Sequence, residues 1–252
     1  MSDPVPQIEQ EQPSTQVRVQ IPNSKPIVTY TLIGVTVLAF VIQKLVQTLT
    51  GSDLLFFFGG KINQFIMLGQ VWRLITPVLL HGSILHIALN MYALHMIGRR
   101  LERFYGHGRF LLLYLLAGFA GNVLSFVLTP APSLGASTAI FGLLAAEGVF
   151  IFQNRKLFGP VRTRQAMMDF GLILFINLAY GFMPGTNIDN MGHIGGFLGG
   201  VFFAWKGGPL LKIRGQTPFF DMVNVRKNGD VLLASLVVFF GFVIIAMIRF
   251  LA

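Results

Sequence analysis

Seven apolar runs, at 28–48, 80–98, 110–129, 136–153, 167–184, 190–205 and 231–251, constrain this chain more than any other feature. Several approach or exceed the ~20 residues a helix needs to cross a hydrocarbon layer of about 30 Å. In such a layer the backbone must pair its own N–H and C=O groups, so each run is expected as a helix. Apolar residues make up 54% of the 252, more than an ordinary soluble domain of this size carries. The expected class is an all-α, multi-pass membrane protein with seven spans.

A formal charge of +9 in a soluble protein would point to nucleic acid, but here the basic residues follow the apolar runs. With the N-terminus inside, the cytoplasmic segments hold Arg18 and Lys25, then Arg99, Arg100, Arg103 and Arg109, then Arg155, Lys156, Arg162 and Arg164. The last group is Lys206, Lys212, Arg214, Arg226 and Lys227, making fifteen of nineteen basic residues. Only Lys44, Lys61, Arg73 and Arg249 fall on the other side. The bias sets an N-inside, C-outside orientation with the lipid bilayer as partner and no nucleic acid. The absence of cysteine excludes disulfides, thiolate metal sites and cysteine nucleophiles. Residues 1–27 lack the basic start and short apolar core of a signal peptide, and are expected as a disordered cytoplasmic tail.

Polar and ionisable groups inside apolar runs are costly and mark function by default. Ser137 opens the fourth run and His193 lies at the start of the sixth. His86 and Asn90 sit in the second, four residues apart and so on one helix face. At a rise of ~1.5 Å per residue, His86 and His193 each lie about 20 Å above the inner basic boundary, and Ser137 about 24 Å above it. The four groups share the outer half of the layer. The fourth run is too short to span the whole core, so its start is expected below the surface. The preceding loop, Thr129–Leu134, must then be shielded by protein or meet water.

These groups supply the parts for acyl transfer at a peptide bond. A serine hydroxyl becomes a nucleophile when a neighbouring base takes its proton, and His193 is the available base. The oxyanion that forms needs donors, which the Ser137 N–H, His86 and Asn90 provide. Gly192, Gly196 and Gly200 recur every four residues beside His193, a smooth stripe that permits close helix approach.

Taken together, Trp72-Arg73, the H-x4-H-x3-N pattern of His81, His86 and Asn90, Gly135-Ala136-Ser137, and Gly192-His193-x2-Gly196-x3-Gly200 resemble the rhomboid intramembrane serine proteases. The resemblance covers roughly residues 28–205. It implies a six-helix core at 28–208, a cytoplasmic loop at 209–230 and an additional C-terminal transmembrane helix at 231–252. It further implies Ser137 as nucleophile, His193 as general base and acid, His86 and Asn90 as oxyanion donors, and no cofactor. The implied activity is cleavage of transmembrane segments of other membrane proteins, with the bacterial plasma membrane as the expected location. Two residues depart from the family pattern. Thr138 stands where many members have glycine, and is expected to alter the local backbone or narrow substrate approach. Phe141 stands where some have tyrosine, and is expected to pack beside His193.

The remaining polar residues have plainer expectations. His81 is expected to support the loop, about 140° around a helix from His86, an unsuitable angle for a shared metal ion. Asp189 is expected near the interface and Glu147 as a buried helix partner. Glu102 is expected to organise an ion-pair cluster with Arg99, Arg100 and Arg103. Trp72 is expected to anchor at the interface, and Arg73 to bind loop carbonyls or lipid headgroups. The alternative functions are a non-catalytic rhomboid-like protein that binds transmembrane clients, and a transporter with a polar pathway. Oligomeric state is not legible in the sequence.

Overall fold

The computed structural model describes residues 18–216 and 219–251. A short strand β1 (Arg18–Gln20) precedes helix α1 (Ile27–Thr50). Two short helices follow, α2 (Leu54–Gly59) and α3 (Asn63–Met67), and then two 3-10 turns at Val71–Leu74 and Thr76–Leu79. Next come α4 (Ile84–Tyr105), α5 (His107–Leu128), α6 (Ser137–Gln153), the single turn α7 (Arg155–Phe158), α8 (Pro160–Gly181) and α9 (Asn190–Gly207). A hairpin of β2 (Leu211–Gln216) and β3 (Phe219–Asn224) leads into α10 (Asn228–Leu251). Each apolar run has become one long helix. By length and composition, α1, α5 and α10 are long and apolar enough to cross a membrane, and α6 is a shorter apolar helix.

The helix ends follow from local chemistry. Ser83 caps α4 by accepting from the His86 N–H at 3.1 Å, so that helix starts at Ile84 and not at the expected 80. Gly106, at φ +71°, lets α4 turn directly into α5. Asp189 caps α9 by accepting from the Gly192 N–H at 2.9 Å.

At the centre α5, α6 and α9 pack against one another, with α10 laid on α5 and α9 through Val231, Ala234, Val238, Phe242 and Ala246. The glycine face of α9 explains the tightness. A Cβ at Gly196 would collide with the Thr138 carbonyl, and one at Gly200 with the Gly142 carbonyl. Without a hydrophobic drive between helices in lipid, such backbone contact is what dispersion can act on. By contrast α8 lies at the periphery, with Gly181 its one buried residue.

Two boundaries differ from expectation. Residues 1–17 of the expected disordered tail lie outside the described residues, but Arg18–Gln20 is a strand that pairs in parallel with β3. The expected loop at 209–230 contains the antiparallel β2–β3 hairpin, giving a three-stranded sheet ordered β1-β3-β2. The sheet ties the segment before α1 to the connection before α10, and offers backbone partners that neither polar segment has alone.

Candidate active site

Starting α4 at Ile84 places His86 and Asn90 one turn apart, while His81 stays in the extended segment before the helix. The expected 140° between His81 and His86 therefore does not apply, because they do not share a helix. Their rings meet edge to face with centroids 4.9 Å apart. Asn90 is buried and donates one amide N–H to the His86 carbonyl at 3.0 Å.

The loop before α6 is held by His81, as expected, and by two side chains the sequence did not single out, Lys61 and Asn63. Lys61, completely buried, donates its ammonium to the carbonyls of Thr129 at 2.9 Å and Ala131 at 2.7 Å. Its backbone exchanges both hydrogen bonds with Ser133. Asn63 donates to the carbonyls of Phe126 at 3.1 Å and Thr129 at 3.0 Å. Gly135 N–H reaches the Pro77 carbonyl at 2.9 Å, and Ala136 N–H reaches His81 Nε2 at 3.4 Å. Protein donors and acceptors thus shield an irregular backbone that hydrocarbon would not tolerate. The signal for Lys61 was available: it is one of the four basic residues off the main charge bias. So is Arg73, which is buried and donates to the carbonyls of Gly60 at 2.8 Å and Phe57 at 2.7 Å. Of its two expected partners, loop carbonyls are the ones found. Trp72 is half exposed and donates to the Phe58 carbonyl at 3.1 Å.

The loop ends at Gly135, where φ is +130°. A Cβ there would stand 2.8 Å from His86 Nε2 and 3.6 Å from Ser137 Oγ, so glycine is required for both side chains to fit. Ser137 is the first residue of α6. The N-cap is Ala136, with no side-chain capping bond, so the hydroxyl is not a helix cap. The Thr138 side chain turns the other way, into a notch where Gly121 and Gly192 leave room for its Cβ and methyl. It does not line the cavity described below, contrary to the expectation that it narrows substrate approach.

His193 is buried and stacks on Phe141, with ring centroids 4.1 Å apart and planes 10° from parallel. Phe141 packs there as expected. Asp189 lies next to this helix start, but its carboxylate accepts from the Gly192 N–H and the Ser125 hydroxyl. His193 Nδ1 has no hydrogen-bond partner among the described residues. Among the described residues no carboxylate is hydrogen-bonded to this histidine.

Ser137, His193, His86 and Asn90 line one cavity of about 650 Å³. Its wall continues through Leu89 and Ala93 of α4, Asn177 and Tyr180 of α8, and the segment Asn187–Asp189. Serine and histidine are not joined by a hydrogen bond among the described residues. Catalytic contacts of this kind commonly tighten only when substrate is bound.

Two acidic residues belong elsewhere. Glu102 does not gather arginines. Completely buried, it accepts from the N–H groups of Val28 and Thr29, both at 2.8 Å, from the Thr29 hydroxyl at 2.6 Å, and contacts His107 Nδ1 at 2.6 Å. It therefore caps α1, whose first N–H groups lack partners of their own. Glu147 pairs with Arg100, its carboxylate 2.7 Å from Nε.

Comparison with known proteins identifies the family. The Rhomboid domain model matches residues 68–209. The chain is 44% identical over 196 residues to "Rhomboid protease GluP" of Bacillus subtilis (strain 168), covering 78% of this chain and 38% of that protein. It is 40% identical over 176 residues to "RHOMBOID-like protein 5" of Arabidopsis thaliana, covering 68% and 54% respectively. A third relative, "Rhomboid-like protease 3" of Toxoplasma gondii, is 38% identical over 133 residues, covering 52% and 50%. The chain thus spans between about two fifths and somewhat over half of the length of these relatives. A family domain over more than half of the chain, on a bundle of apolar helices, makes this a membrane protein of the rhomboid family.

Proposed function

We propose that the chain is an intramembrane serine endopeptidase that cleaves transmembrane segments of other membrane proteins. The observation that carries this reading is the convergence of Ser137, His193, His86 and Asn90 on one cavity. In the proposed reaction Ser137 Oγ attacks the scissile carbonyl while His193 accepts its proton. Charge on the carbonyl oxygen is met by the Ser137 N–H at the helix start and by His86 and Asn90. His193 then protonates the leaving amine, and water drawn through the cavity hydrolyses the acyl-enzyme by the reverse proton path. The dyad works without an acid, in keeping with the unpartnered Nδ1.

In this reading all seven long helices span the bilayer, N-inside and C-outside, in a bacterial plasma membrane. The contacts of Arg103 with Pro22, of Arg109 with Arg226, and of Arg226 with Trp205 and Lys206 gather the basic segments at one end, which supports the orientation. A substrate helix would enter between α4 and α8, since α8 is the least buried long helix and supplies one wall of the cavity.

The test is labelling of detergent-solubilised protein with a mechanism-based serine-hydrolase probe, alongside cleavage of a transmembrane substrate. Ser137→Ala and His193→Ala are expected to abolish both signals while remaining folded. Wild-type cleavage by folded Ser137→Ala would sink the mechanism. Client binding by an unlabelled, inactive wild type would instead support the non-catalytic alternative.

A further inference from the structure

A second cavity, of about 510 Å³, lies towards the far end of α4 from the serine site. Its lining combines Arg99, Arg100 and Arg103 of α4 with the apolar side chains of Met96 and Phe104 on the same helix and Ile151 on α6. Three guanidiniums face one carboxylate, Glu147, which is taken up by two hydrogen bonds from Arg100 at 2.7 and 3.0 Å. Among the described residues no carboxylate pairs with the other two guanidiniums. Arg99 is steadied by one nitrogen against His95 at 2.9 Å, and Arg103 by one nitrogen donating to the Pro22 carbonyl at 3.1 Å. The other nitrogens of both guanidiniums have no protein acceptor among the described residues.

We propose that this cavity binds the headgroup of an anionic phospholipid. A phosphodiester accepts forked, charge-assisted hydrogen bonds from guanidinium groups. Basic pockets between helices at the cytoplasmic surface are suited to such headgroups. The apolar part of the lining, Met96, Phe104 and Ile151, takes the glycerol and the first methylenes of the acyl chains, which free phosphate lacks. A substrate helix is disfavoured, because transmembrane segments carry Lys and Arg at their cytoplasmic flank and would meet like charge. The position of the cavity at the headgroup level rests on the orientation proposed above; its chemistry does not involve Ser137.

The experiment supplies purified protein with mixed micelles of phosphatidylglycerol and phosphatidylcholine, and reads retained lipid by native mass spectrometry. One phosphatidylglycerol is expected to be retained in preference to phosphatidylcholine, equally by wild type and Ser137→Ala. Arg99→Gln combined with Arg103→Gln is expected to lower that preference roughly thirtyfold. Arg99→Lys with Arg103→Lys, which keeps both charges, retains most of it and so controls for folding. Glu147→Gln, which releases Arg100, is expected to raise retention, whereas a structural ion pair would lower it. Arg162→Gln, basic but outside the cavity, is expected to change nothing. Equal retention of both lipids, or a preference unaltered in the double glutamine variant, overturns the proposal. Displacement of the lipid by inorganic phosphate or by an acidic transmembrane peptide also overturns it, assigning the site to that ligand.

Discussion

The imidazole of His193 lies face to face with the ring of Phe141, centroids 4.1 Å apart and planes 10° from parallel. The stack sets the orientation of a histidine whose Nδ1 has no partner to fix it. In enzymes that use an acid behind the base, a hydrogen bond to Nδ1 does this work; in the mechanism proposed here an aromatic face does it. Phe141→Ala is therefore expected to lower kcat about ten- to a hundredfold, because a base misplaced by about 1 Å loses rate on that scale. Phe141→Tyr keeps the ring and is expected to stay within about threefold of wild type. Steady-state kinetics on a transmembrane substrate distinguish the two, and an unimpaired Phe141→Ala would show that the stack does not orient the base.

Gly196 faces the backbone carbonyl of Thr138 at a distance that leaves no room for a Cβ. Gly196→Ala should cost about 2–3 kcal/mol through forced separation of α6 and α9. A second change, Thr138→Gly, should not rescue it, since the obstacle is main chain. Thermal melts of the single and double variants in one detergent provide the comparison, and full rescue would contradict it.

Thr138 itself is a packing residue. Its side chain fills the notch against Gly121 and Gly192 and stays out of the serine cavity. Thr138→Gly is expected to destabilise the protein by about 1–2 kcal/mol through the void and the added backbone freedom. No gain in turnover beyond about twofold is expected, since a few tenths of a kcal/mol is all that an indirect change supplies. A large increase in kcat would restore the reading that Thr138 narrows the approach to Ser137.

Lys61 holds the loop that delivers Ser137, and burial pushes its ammonium down to about 8 from an ordinary 10.5, with the Asp189 carboxylate opposing the shift. Between these two values the unfolded chain keeps a proton that the folded protein has released, so the cost of the buried charge fades as pH rises. The stability of wild type relative to Lys61→Met should accordingly increase from about pH 8 to 10.5, and be flat below about 8. At neutral pH Lys61→Met leaves the Thr129 and Ala131 carbonyls without their donor, and about a tenfold loss of activity is expected from the loosened loop. Paired melts across the pH window measure the first effect. A difference that shrinks with pH would refute the assignment.

Legibility in the sequence followed the range of the interactions. Apolar runs announce helices because every backbone group in them must pair locally, and each run became one long helix. His86 and Asn90 were placed correctly because four residues make one helical turn. Glu102 was misread for the same reason: its arginine neighbours are near in sequence, whereas Val28 and Thr29, its actual partners, are over seventy residues away. His81 and His86 were misread because Ser83 starts the helix between them, a capping choice that apolar periodicity does not show. Lys61 stands out in the sequence as a basic residue off the charge bias, but that signal does not name what it holds. Its partners at Thr129, Ala131 and Ser133 exist only after α5 and α6 have packed.

By itself the sequence determined the class of molecule, its helices and the four residues brought to the serine site, because hydropathy and helical spacing are local properties with large free energies. Only the tertiary structure decided how those residues are held. It showed that Lys61 and Asn63 join the expected His81 in securing the loop before Ser137, that the expected packing of Phe141 on His193 is a face-to-face stack, and that the Ser137 hydroxyl is not a helix cap. The physical reason is that a buried hydrogen bond or ring contact depends on which backbone approaches which, and that is set by small residues such as Gly196 and Gly200 on helices far apart in the chain.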